Sequence, residues 1–96
     1  MKKLIKRPLE KMPYAQATVI IEGDNLYKLQ SYNTVVVILD KETGWIECLG
    51  TYSQTTRKHI GAFAKEIGYN LTYQLLRDLA NEKLMYNIYT GEIIPQ

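Results

Sequence analysis

Few residues of this chain could do chemistry. It has one cysteine, Cys48, and one histidine, His59. A Cys/His zinc cluster needs about four such ligands, so one chain cannot build it here, and no H-E-x-x-H is present. No P-loop, G-x-G-x-x-G or G-x-S-x-G turn occurs, and the six glycines stand singly. A nucleophile–base pair of Cys48 and His59 is the remaining catalytic arrangement. Cys48 falls in an apolar strand pattern, however, and reads as an inert core residue. The sequence therefore predicts a protein that is not an enzyme and carries no metal or cofactor.

The concentrated polar stretch is Thr51 to His59, in which Tyr52, Ser53, Gln54, Thr55, Arg57 and Lys58 stand together. Free hydroxyls and amides at a helix start, with Arg and Lys one turn in, hold anionic groups because the helix dipole and the cations add. At about 100° per residue, Gln54, Arg57, Lys58, Gly61 and Lys65 share one stripe opposite the apolar face. Capping by Ser or Thr and solvation of the bases explain the same residues without a ligand. Tyr52, Ser53, Gln54, Thr55, Arg57, Lys58 and Lys65 are accordingly the candidate partner- or anion-binding residues. Eight tyrosines against one Phe and one Trp suit protein recognition, and also base stacking.

These residues need elements to position them. Tyr14 to Glu22 alternates in β-formers, Gly23-Asp24-Asn25 can turn, and Leu26 to Ser31 pairs back. Asn33 to Asp40 is the strongest strand, and Lys41 to Gly44 turns into a further strand, Trp45 to Leu49. Thr56, Ile60, Phe63, Ala64 and Ile67 then mark one face of a helix from about Gln54 to Ile67, capped by Thr51 or Ser53 and closed by Gly68. A second helix, capped by Asn70 or Thr72, carries Leu75, Leu76, Leu79 and Ala80. The segment from Leu84 to Tyr89 is open between a fifth strand and an irregular flap. The expected fold is α+β: an antiparallel sheet of four or five strands in sequence order with two helices packed on one face.

At 96 residues the chain fits one domain. Residues 1–13 read as a basic N-terminal arm and 14–96 as the folded domain. The net charge is +2, yet the first eleven residues hold five of the twelve bases, Lys2, Lys3, Lys6, Arg7 and Lys11, and one of the ten acids, Glu10. The body is thus mildly acidic, which favours protein partners over nucleic acid, while the arm can attract phosphates or simply solubilise. The longest apolar run, Val35 to Leu39, is far short of the roughly 18 residues of a membrane span. Pro8, Glu10 and Lys11 interrupt any signal-peptide core, so a cytoplasmic protein is expected. Val36 and Ile38 alternate with Val35, Val37 and Leu39 and should point to the sheet face without helices. Intrachain cover by the arm or the C-terminal segment, or self-association as a homodimer, would shield them.

Ser31-Tyr32-Asn33-Thr34 and Tyr52-Ser53-Gln54-Thr55-Thr56-Arg57-Lys58-His59-Ile60 resemble the "SY-[DN]-T" strand and "YS-x-TT-x-[KR]-H-[IV]" helix start of small phage and mobile-element proteins of Gram-positive bacteria. The similarity covers about residues 26–67. It implies a phage or prophage setting in a bacterial cytoplasm and no particular activity. The expected function is an accessory protein that binds a host or phage protein, with inhibition of a bacterial defence system as one purpose. The alternative is nucleic-acid binding through the arm and the Arg57/Lys58/Lys65 stripe.

Overall fold

The structure is a computed structural model, and it describes residues 3–96. Seven strands form one antiparallel sheet in sequence order: β1 (Leu4–Pro8), β2 (Ala17–Glu22), β3 (Leu26–Ser31), β4 (Thr34–Asp40), β5 (Trp45–Cys48), β6 (Leu84–Asn87) and β7 (Ile93–Pro95). Two helices, α1 (Gln54–Ile67) and α2 (Tyr73–Glu82), lie between β5 and β6. α1 packs on β3 and on α2, and α2 packs on β5 and β6. The α+β architecture with sequential antiparallel strands is as expected.

The strand count is higher than four or five because both ends of the chain add strands. The basic arm is not separate from the domain: over residues 4–8 it is β1, paired from Leu4↔Glu22 to Pro8↔Thr18. Leu9 follows it into the core and is fully buried, and Met12 packs partly against the same cluster. Burying these apolar groups and pairing the free edge of β2 outweigh the basic, proline-containing local sequence. Positions 1 and 2 of the arm lie outside the described residues. At the other end, Leu84 to Asn87 is a strand, and β7 extends the sheet beyond it.

Register sorts the side chains. Val19, Leu29, Val37 and Cys48 are consecutive cross-strand partners on the helix-covered face. Lys6, Ile20, Lys28, Ile38, Glu47, Met85 and Ile94 form the neighbouring row on the opposite face. A bulge breaks simple alternation in β4: Leu29 pairs with Val37 but Gln30 pairs with Val35. The extra residue is Val36, which joins the core and is 0% exposed. Val36 is therefore not on the open face, which corrects its assignment to self-association, whereas Ile38 is there.

The local signals explain both helices. Ser53, rather than Thr51, caps α1, its Oγ accepting from the Thr56 N–H at 3.2 Å. Gly68, at φ 86°, closes it through an N–H bond to the Ala64 carbonyl. Thr72 caps α2, its Oγ1 accepting from the Leu75 N–H at 3.1 Å. Among the described residues no helix is long and apolar enough to cross a membrane.

Candidate functional site

The residues singled out from the sequence separate into two places. Thr56 turns inward, and Ser53, itself exposed, bonds to it. The Ser31 hydroxyl lies 2.9 Å from Thr56 Oγ1 and 2.8 Å from His59 Nδ1, and Ser53 Oγ donates to Thr56 Oγ1 at 3.2 Å. His59 is 1% exposed, and burial lowers its pKa. The imidazole is therefore held neutral, and this chain of bonds ties the start of α1 to the end of β3. The polar positions of the two resembling motifs are thus joined in one buried network, with the Tyr32 ring 5.8 Å from the His59 ring.

Cys48 does not meet His59. Its thiol points to the Gly50 carbonyl at 3.7 Å, and burial pushes its pKa up to about 11. A protonated buried thiol and a histidine engaged with Ser31 do not make a nucleophile–base pair.

The second place is an open cavity of about 760 Å³ between α1, the start of α2 and the segment after β1. Lys58, Gly61, Ala62 and Lys65 present one side of α1 to it, at the spacing of successive turns. Leu71, the cap Thr72 and Tyr73 close it from the entry into α2, and Lys11 and Met12 close it from the N-terminal segment. The floor is apolar and three lysines line it. Among the described residues none of those lysines makes a salt bridge. All three are exposed, so their charge is met by solvent in the single chain.

The N-terminal segment is fixed by a carboxylate. Glu66 Oε2 accepts from Arg7 Nη2 at 2.5 Å and Glu66 Oε1 from the Glu10 N–H at 2.8 Å. The Glu66 side chain is 3% exposed, and its hydrogen bond raises the Arg7 pKa. This clamp sets Lys11 and Met12 beside α1.

Of the seven candidate residues, Lys58 and Lys65 reach the cavity. Ser53 is a cap, and Tyr52, Gln54, Thr55 and Arg57 are exposed outside it. The Tyr52 ring lies over Gly50, where an added Cβ would come within 2.9 Å of it. Sequence reasoning missed Lys11 and Met12 because reading residues 1–13 as an arm removed one wall, and it missed Ala62, Leu71, Thr72 and Tyr73 because the packing of α2 beside this stripe is not written in the local pattern. Of the tyrosines, Tyr14, Tyr32, Tyr52, Tyr69 and Tyr89 are exposed, while Tyr27, Tyr73 and Tyr86 pack against the core.

A seven-stranded antiparallel sheet with two helices on one face and a lysine-lined groove beside the first helix defines an α+β domain. The chain belongs to DUF8033, a family of unknown function, which matches residues 4–76. That span includes every residue lining the groove. No curated protein and no solved structure matches the chain.

Proposed function

We propose that this protein is a non-catalytic binding module that docks on a protein partner through the groove between α1, α2 and the N-terminal segment. The observation that carries the reading is the combination of an apolar floor with Lys11, Lys58 and Lys65, none of them ion-paired among the described residues. Protein interfaces favour such a site, an apolar centre with a charged rim that selects the partner and speeds encounter. The residues offered for catalysis support it too, since Cys48 and His59 are engaged in packing and in the network around Ser31.

In the phage or mobile-element setting that the motif resemblance implies, the partner is a host or phage protein in a bacterial cytoplasm. Blocking a defence protein is one use of such docking. A photocrosslinking side chain at Thr72, on the groove's edge, tests the reading in Gram-positive host cells. A discrete protein adduct that is lost on Lys58→Glu with Lys65→Glu is expected; a nuclease-sensitive adduct, or none, sinks it.

Nucleic-acid binding is the weaker reading. Arg7 is paired with Glu66, Lys28 with Glu22, and Lys6 and Arg7 stand on opposite faces of β1. Among the described residues the arm's bases are thus divided between two faces, although Arg57, Lys58 and Lys65 remain along α1. Titration of labelled DNA and RNA at low salt is expected to give no saturable binding at micromolar protein.

A further inference from the structure

Gly61 sits in the middle of α1, where a glycine weakens a helix relative to alanine. Neither usual reason for a glycine applies. Its backbone is not in the left-handed region, and an added Cβ would meet only Tyr73 Cβ at 3.7 Å, an ordinary contact. Gly44 shows the contrast: its φ is +92° and a Cβ there would lie 2.6 Å from the Tyr89 ring. What the missing side chain at position 61 does leave is depth, since Gly61 lines the cavity between Lys58 and Lys65 on consecutive turns of one helix face.

We propose that the cavity over Gly61 is an anchor pocket for one large apolar side chain, aromatic or leucine-like, carried in an acidic segment of the partner protein. The proposal rests on the binding-module reading and specifies its ligand. Met12, Leu71 and Tyr73 supply apolar walls, and an apolar side chain seated against them removes that surface from water. A single anchored side chain, ringed by groups that exclude water, is how small interfaces concentrate their affinity. The flanking residues are acidic because Lys11, Lys58 and Lys65 surround the opening without anionic partners of their own. A neutral or basic segment would gain nothing from them, and a basic one would be repelled.

Fluorescence polarisation with synthetic peptides tests this on the full chain. The probes are a short peptide with a central Trp flanked by Glu and Asp, the same peptide with Ala at the centre, and the Trp peptide with Gln replacing every acid. The acidic Trp peptide is expected to saturate, the Ala version to bind about 30-fold more weakly, and the Gln version to lose its salt dependence along with most of its affinity. Gly61→Leu should fill the pocket and abolish binding. Gly61→Ala serves as the folded control: its thermal midpoint should rise while affinity falls a few-fold.

Equal binding of the Trp and Ala peptides overturns the anchor pocket while leaving a lysine-based docking surface in place. A lowered midpoint for Gly61→Ala overturns the argument from the glycine, and no binding of any probe at millimolar concentration overturns the ligand chemistry. If the peptides behave as expected but the Thr72 crosslinker captures no protein in cells, the pocket stands and the proposed function falls.

Discussion

The Ser31–Thr56–His59 network makes opposite demands on its members: the hydroxyls need partners because they are buried, and the imidazole needs to stay neutral. Ser31→Ala removes the group that both Thr56 and His59 contact. Thr56 keeps its bond from Ser53, but His59 Nδ1 loses its partner, and leaving one buried polar atom unpaired costs about 1–3 kcal/mol, so a lowered urea midpoint with an unchanged slope is expected. The pH dependence has a definite sign. Burial lowers the His59 pKa below the ordinary 6.5, so as pH falls below about 6.5 the unfolded chain takes up a proton before the folded one does. Stability therefore declines on acidification and is level above that range. Midpoints at pH 7.5 and pH 5.5 check this, and His59→Gln, which cannot titrate there, should lose the imidazole's share of the decline. Cys48 gives a separate readout. With its pKa raised to about 11 by burial, the thiol should resist a maleimide or disulfide reagent at pH 8 in the folded protein and react promptly in urea.

At the scale of elements, the clamp on the N-terminal segment adds to the pairing and burial that hold β1 in the fold. Glu66 joins the last turn of α1 both to the Arg7 side chain and to the Glu10 backbone, 59 and 56 residues away in sequence. Glu66→Ala removes both bonds at once. Arg7 is 31% exposed and can turn to water, so the loss is smaller than for a sealed ion pair, about 1–3 kcal/mol. Hydrogen exchange should show it selectively: the amides of β1 and of residues 9–12 lose protection while those of β3 and β4 keep theirs. If all strands lose protection together, the clamp is not local.

The same clamp explains what the sequence could and could not reveal. α1 was legible because Ile60, Phe63, Ala64 and Ile67 recur at helical spacing between a Ser cap and Gly68, and β2 to β5 because β-branched runs alternate between turn residues. β1 was hidden, since Lys6, Arg7 and Pro8 are the residues that protect an edge strand from aggregation and also those of a disordered tail. What distinguishes the two lies far away in sequence: the edge of β2, the core that takes Leu9, and Glu66. The bulge at Val36 was hidden for the same kind of reason: nothing within NTVVVILD states that Gln30 pairs with Val35 while Leu29 pairs with Val37. The groove followed suit, with Lys58, Gly61 and Lys65 legible as a stripe and its wall at Lys11 and Met12 invisible until β1 was in place.

For the whole molecule, the open face of the sheet is where association is to be tested. Among the described residues, β1 and β7 do not lie across it, because both are strands within the sheet. The row Lys6, Ile20, Lys28, Ile38, Glu47, Met85, Ile94 crosses all seven strands on that face. Its five central positions are self-complementary. A twofold axis parallel to the strands and passing over Ile38 sets Ile38 against its own copy, and strands spaced about 4.8 Å apart bring Lys28 over the copy's Glu47 and Ile20 over the copy's Met85. Lys28 would then share its charge between Glu22 of its own chain and the copy's Glu47, and only the outermost pair, Lys6 with Ile94, is mismatched, so a second copy is suited to cover the middle of the face. A twofold dimer is the expected state at tens of micromolar protein, with a light-scattering mass near twice 11.1 kDa. Ile38→Glu places two carboxylates together at the axis and should return the mass to that of one chain without unfolding it, because Ile38 is only partly buried in the single chain. The charge pairing has its own control. Lys28→Glu alone should weaken the dimer, and Lys28→Glu combined with Glu47→Lys should restore it, since exchange preserves complementarity across the axis. A single-chain mass for the parent protein, or equal masses for the single and the exchanged variants, excludes this arrangement.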